Sequence, residues 1–322
     1  MGMLYRLART TARAIYPHGV AGWCVSSLGT ASMTLRQLGY AADTRLLIVN
    51  ADDFGMSEEV NSAILAGLHG GLVTSTSVMV PCPAFRSAVN IAMSDPDADI
   101  GVHLTLTSEW TAYRWQPVLG PANVPSLVDS DGCFWSTPAE VFAHGRLDEV
   151  EAELRAQIET ALDSGIDVTH LDSHMFVLQS SRSDYYHLYM KLAQDYRVPF
   201  RSIRRSMLHW CTRVDVGALR PRRLGVVAPD HLIFAGSYDG KTARKYWSSL
   251  LRTLRFGVTE AYCHPGFARA QLQRFAVDAD QRQADYDFFT SVVARQLLLE
   301  NNVRLITYRT LRNCMRNSTG LQ

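Results

Sequence analysis

Four short stretches of this chain set metal-ligating or acid–base side chains where a buried strand would end. They are Asn50, Asp52 and Asp53 in L-L-I-V-N-A-D-D-F-G, His103 in I-G-V-H-L-T-L, His170, Asp172 and His174 in T-H-L-D-S-H, and His264 in C-H-P-G. Parallel strands end on the same side of a sheet, so the four clusters converge on one mouth. Asp53, His103 and His174 together offer one carboxylate and two imidazoles, a set that leaves coordination positions open for water and substrate. These donor types suit zinc or another transition ion better than magnesium, which prefers oxygen. On spacing alone, a metal centre and a set of strand-end caps hydrogen-bonded to loops carry equal weight. His170, Asp172 and His174 share one face of a regular strand, and three polar groups on a buried face are costly unless paired or metal-bound. Asp52 and Asp53, being adjacent, point to opposite faces. Both serve one site only where the chain bends, and Gly55 permits a bend.

The elements that must position these groups follow a repeated pattern. The continuous apolar run Leu46–Val49 fits a strand covered on both faces, as in a parallel sheet or barrel. Ser57 is an N-cap for a helix that carries Glu58 and Glu59 in its first turn and stops at Gly70-Gly71. Further strands are expected at 72–80, 100–106, 167–174, 198–203, 231–235, 258–264 and 303–306. Helices are expected over 84–93, 147–162, 183–196, 241–254 and 280–299. Residues 107–145 break the rhythm with Trp110, Tyr113, Trp115, Trp135 and four prolines, the mark of a functional insertion. Seven or eight β–α units favour an α/β barrel over an open sheet.

Lys+Arg 32 against Asp+Glu 31 in 322 residues leaves no electrostatic footprint for nucleic acid or a membrane surface. Six cysteines are scattered without a C-x-x-C pair, which reads as reduced thiols and a cytoplasmic protein. No stretch approaches the length of a membrane span. Residues 1–44 hold Arg6, Arg9 and Arg13 ahead of a mildly apolar segment. They are set apart as an extension, with export or targeting as the alternative and Met33 as a second possible start. One catalytic domain is expected over 45–315. Whether the chain works as a homodimer is not legible.

N-A-D-D-F-G at 50–55, V-T-S-T-S at 73–77, G-V-H-L-T-L at 101–106, T-H-L-D-S-H at 169–174 and C-H-P-G at 263–266 together resemble the YdjC-like carbohydrate deacetylases. That family includes chitooligosaccharide and hopanoid-linked sugar deacetylases. The resemblance implies a deformed, TIM-like (β/α) barrel that removes N-acetyl groups from amino sugars or glycans with one divalent metal, zinc by ligand type or magnesium. It further implies Asp53, His103 and His174 as metal ligands, Asp52 as general base and His264 as general acid. Asp172 and His170 would be outer residues that orient the imidazoles, or purely structural ones. The chain departs from many relatives in having Met175-Phe176 where further histidines are common, which bears on substrate identity.

Three assignments are weighed against duller ones. Arg201, in F-R-S on the fifth strand, is read as a surface salt bridge in preference to a partner for Asp52. Trp110, Trp115 and Trp135 stack on sugar faces or, with equal weight, fill a small core under the insertion. The rivals in function are a metal-independent glycosidase using Asp52 and Asp172, and a carbohydrate-binding relative without turnover.

Overall fold

Leu46, Leu47, Ile48 and Val49 are all buried because their strand, β1 (Arg45–Phe54), lies in the middle of a parallel sheet. The computed structural model describes residues 32–179, 182–202, 225–236 and 238–318. The other strands are β2 (Ser75–Val78), β3 (Ile100–Leu104), β4 (Val168–Ser173), β5 (His231–Ile233), β6 (Gly257–Cys263) and β7 (Val303–Leu305). They run in the order β4-β3-β2-β1-β6-β5, every pairing parallel. β7 pairs with Arg45–Leu47 of β1, while β2 pairs with Asn50–Phe54 on the later half of the same strand. The result is the curled sheet of a deformed β/α barrel.

Two elements differ from expectation. The fifth strand, expected at 198–203, is reduced among the described residues to one parallel bridge, Leu171 with Phe200. Leu171 N donates to Pro199 O and Arg201 N donates to Leu171 O, so the segment still lies against β4. The helix expected over 280–299 is two, Ala279–Phe289 and Val292–Glu300. Ser291 breaks it, because its hydroxyl caps the second helix by accepting from Ala294 N at 3.1 Å, a role Ser favours over the helix interior.

The remaining helices cover the outside of the sheet, beginning with Glu58–Gly70, which Ser57 caps as expected. The insertion between β3 and β4 is packed down. Glu153, fully buried on the helix Leu147–Asp163, accepts from Val118 N at 2.9 Å and Leu119 N at 3.1 Å. Most of the extension lies outside the described residues. Its last part forms the short helix Met33–Gln37, with Leu35 buried and the Ser32 hydroxyl donating to Asp230 Oδ2. Among the described residues no helix is long and apolar enough to cross a membrane.

Candidate metal centre

The end of β1 solves the problem of two adjacent aspartates. Ala51 pairs with Thr76 and Phe54 with Val78, so three steps along β1 match two along β2. The extra residue is a β-bulge, which re-aims side chains at a sheet end. Asp53 itself takes a left-handed backbone at φ 69°, followed by Gly55 at φ 89°. Asp is one of the few residues that tolerate this region. The bend therefore starts at the aspartate and not only at the glycine.

Asp53, His103 at the end of β3 and His174 immediately after β4 converge as buried groups. Asp53 Oδ1 stands 3.4 Å from His103 Nε2 and 3.4 Å from His174 Nδ1. Two atoms bound at about 2.1 Å to a tetrahedral ion lie roughly 3.4 Å apart, so both separations would suit ligands of one metal. Asp53 Oδ1 is also a buried oxygen without a hydrogen bond, the group a cation would satisfy. Its other oxygen accepts from Arg282 Nη2 at 2.7 Å.

Each imidazole has a carboxylate on its far nitrogen. His103 Nδ1 meets Asp172 Oδ1 at 2.8 Å, and His174 Nε2 meets Glu109 Oε2 at 3.1 Å. Carboxylate–histidine pairs of this kind orient metal-ligating rings. Burial works against a charged His103, yet Asp172 and Asp53 override it and lift the imidazole to about 10. Glu109 and Asp53 lift His174 to about 9 against the same penalty. Burial would raise the Asp53 carboxyl, but Arg282 and the two imidazoles outweigh it and hold the group well below the usual carboxylate range.

A second trio, Asp52, His103 and Asp172, also clusters. There a cation is already present. Arg201 Nη2 lies 2.6 Å from Asp52 Oδ1 and 3.0 Å from Asp172 Oδ2. Arg201 Nη1 donates to Asp52 Oδ2 at 2.7 Å, and Nε donates to Glu260 Oε1 at 2.8 Å. Asn50 donates to Asp52 at 2.8 Å, and the Ser77 hydroxyl donates to Asp172 at 2.7 Å. His264 is partly open, its side chain 27% exposed, with Nε2 4.0 Å from Asp52 Oδ2. Its backbone N donates to Asp285 Oδ2 at 3.0 Å.

Several sequence readings need correction. Arg201 is no surface salt bridge: it is fully buried and grips Asp52 with both terminal nitrogens. The one strand bridge beside Phe200 turns it inward. Trp115 is buried, its ring nitrogen donating to Thr107 O at 2.8 Å, and Trp110 is buried in a T-shaped contact with Phe275. Trp135 stacks on His144 and donates to Ser126 O. Of the two readings weighed for these rings, burial favours the core beneath the insertion for Trp110 and Trp115, while Trp135 is half-buried with one face on His144. His170 lies on the expected face of β4 but deeper, stacked on Tyr308 with ring centroids 3.8 Å apart and bonded to Thr169. It does not brace the imidazoles, and burial pushes it down to about 4.

Sequence reasoning missed Glu109, Arg282, Ser77, Glu260 and Tyr308. Glu109 sits in an insertion without periodicity, and Arg282 looks like an ordinary helical cation. Glu260 left a signal: a charge inside a strand buried along its whole length must have a partner.

A family model described as YdjC-like protein matches residues 46–300. A carbohydrate deacetylase of Geobacillus stearothermophilus is 33% identical over 265 residues, covering 82% of this chain and 97% of that protein. One from Listeria monocytogenes is 32% identical over 268 residues, covering 82% and 99%. A crystal structure of a protein from Enterococcus faecalis V583, provisionally named for cellobiose-phosphate cleavage, matches at 29% identity. Its TM-score is 0.69, over 83% of this chain and 99% of that one. With the match running through every strand that carries a site residue, the chain belongs to the YdjC-like family.

Proposed function

We propose that the chain, through one catalytic unit over residues 45–315, is a metal-dependent hydrolase that removes an N-acetyl or related acyl group from an amino sugar or glycan. The observation that carries the reading is Asp53 Oδ1, buried, unbonded and 3.4 Å from one nitrogen of each imidazole. Relatives named carbohydrate deacetylase support the reaction class. Asp53, His103 and His174 would hold one divalent ion, zinc being the best match to two nitrogens and an oxygen. Such an ion polarises an amide carbonyl and makes water acidic enough to attack near neutral pH.

The chain's own residues supply the rest. Asp52 takes the proton of the attacking water, its carboxylate held in one orientation by Arg201 and Asn50. His264, which reaches solvent, delivers a proton to the departing amine. Glu109 and Asp172 keep the ligating rings turned so that one nitrogen of each faces Asp53. The glycosidase alternative fares worse. Asp172 is fully buried and engaged by His103, Ser77 and Arg201. A glycosidic oxygen has no way between two carboxylates that share one guanidinium nitrogen.

Elemental analysis of the purified protein, paired with acetate release from N-acetylglucosamine oligomers, tests the proposal. The expected result is one divalent ion per chain and metal-dependent release. His174→Ala should lose both, whereas Asp52→Asn should keep the ion and lose turnover by about 10²-fold or more. Full activity in either variant, or in folded metal-free protein, would refute the assignment.

A further inference from the structure

We propose that Glu260 and Tyr308 are positioning residues that aim Asp52, through a hydrogen-bonded line Tyr308–Glu260–Arg201–Asp52 across the barrel interior. The inference rests on the role of Asp52 given above, and extends the site to a residue beyond the 46–300 segment shared with the family.

Both oxygens of Glu260 are spoken for: Oε1 accepts from Arg201 Nε at 2.8 Å and Oε2 accepts from the Tyr308 hydroxyl at 2.6 Å. Arg201 in turn uses its two terminal nitrogens on Asp52, at 2.7 and 2.6 Å. A guanidinium is planar, with its donors in a rigid fork. Fixing the Nε edge on Glu260 therefore fixes the direction of the opposite edge, which holds Asp52. The Tyr262 ring, 4.6 Å from the guanidinium carbon, limits motion out of the plane. Tyr308 is itself clamped. Its ring stacks on His170 at an interplanar angle of 10°, and the next residue, Arg309, donates its backbone N to Asp99 Oδ2 at 2.6 Å. All four residues of the line are buried.

Stability alone does not call for this arrangement. One buried arginine facing three carboxylates is expensive to desolvate, and apolar residues of similar volume often serve a core as well or better. Glu260 in that position makes sense as the brace that fixes the one angle at which Arg201 Nη2 serves both Asp52 and Asp172, 2.6 and 3.0 Å away. Small errors in the placement of a reacting group cost rate more than they cost binding.

The test is steady-state kinetics on Glu260→Gln and Tyr308→Phe, with metal content and folding checked by elemental analysis and circular dichroism. Gln can still accept from Arg201 Nε but carries no charge, and Phe removes one hydroxyl. The expected result is a fall in kcat of about 10- to 100-fold in Glu260→Gln and a smaller fall in Tyr308→Phe. KM and bound metal should match the wild type in both. In metal-free protein the Arg201 Nε–H resonance should move in both variants, a readout independent of turnover. Unchanged kcat in both variants, or a fall that only follows lost metal or lost fold, overturns the inference. Should Glu260→Gln fail to fold, Tyr308→Phe carries the same test alone. Wild-type protein that releases no acetate would instead sink the proposed function, and so is distinguishable from failure of this line.

Discussion

Metal binding to this site should release about two protons at neutral pH, because the surrounding carboxylates favour the charged form of both candidate ligand rings in the metal-free protein. His103 is lifted to about 10 and His174 to about 9, while a metal ligand must be a neutral imidazole. Asp53 sits well below the carboxylate range and adds no proton of its own above that range. Below the two imidazole values the metal competes with one proton on each ring, so affinity rises with pH, by about 100-fold for each pH unit. Between pH 6 and pH 8 that amounts to about 10⁴-fold, or roughly 5 kcal/mol. The slope should fall to about one proton between pH 9 and 10 and vanish above. Calorimetric titration with zinc in buffers of differing ionisation enthalpy reads the proton count directly. Asp172→Asn removes the carboxylate that opposes burial at His103, and should lower the count near pH 8 by about one. Release of much less than one proton by the wild type would show that Asp172 and Glu109 do not hold the rings charged, and would refute the electrostatic account.

Three further outcomes follow from the same contacts. The raised imidazoles stabilise the metal-free fold fully below the unfolded value near 6.5 and progressively less as pH rises through about 9 to 10. Scanning calorimetry should therefore show the metal-free melting temperature falling across that window, and a flat profile there would contradict it. Arg282→Ala frees Asp53 Oδ2 and should weaken metal binding about 10- to 100-fold, measured by chelator competition; unchanged affinity would mean that Arg282 does not orient the ligand. Trp115→Ala should cost about 3–5 kcal/mol of stability in a denaturant titration, since that ring is buried in the insertion's core. Loss of substrate affinity at unchanged stability would restore the sugar-stacking reading.

Much of the site was legible because strands have a period of two and parallel strands end together. Those two rules bring Asp53, His103 and His174 to one mouth and line up Asp172 between His170 and His174. They could not give depth. His170 and His174 share a face, yet one is stacked on Tyr308 and the other meets Glu109, a difference set by chain segments far away in sequence. Arg201 was misread for a related reason. Its inward direction depends on a single bridge from Phe200 to Leu171, too short to leave alternation in the residue pattern. The bulge at Asp53 was only half visible, since Gly55 advertised a bend while the left-handed residue is the aspartate. Glu109 and Arg282 act through tertiary contact alone, and no local pattern marks them.

The pairing of β1 also imposes an order on synthesis. Strands β1 to β4 lie side by side in the order in which they are made, so the half-sheet that carries Asp53, His103 and His174 can assemble first. The other edge of β1 waits for β6, which ends at Cys263, while β7 at Val303–Leu305 joins Arg45–Leu47 on the β2 side. At about 5–20 residues per second, that edge stays bare for roughly 10–40 s after β1 has been made. The exposed strand is the most apolar one, Leu46–Val49, and a bare edge of that kind is an aggregation template. Chains halted before β6 should therefore be insoluble without a chaperone, and soluble nascent chains ending near residue 200 would show that another segment covers the edge. The candidate ligands come early in the life of the molecule, while Glu260, His264, Arg282 and Tyr308 come late. A metal captured on the nascent half-sheet would therefore sit beside Asp52 before His264, the proposed proton donor, and the Glu260–Tyr308 brace had been added.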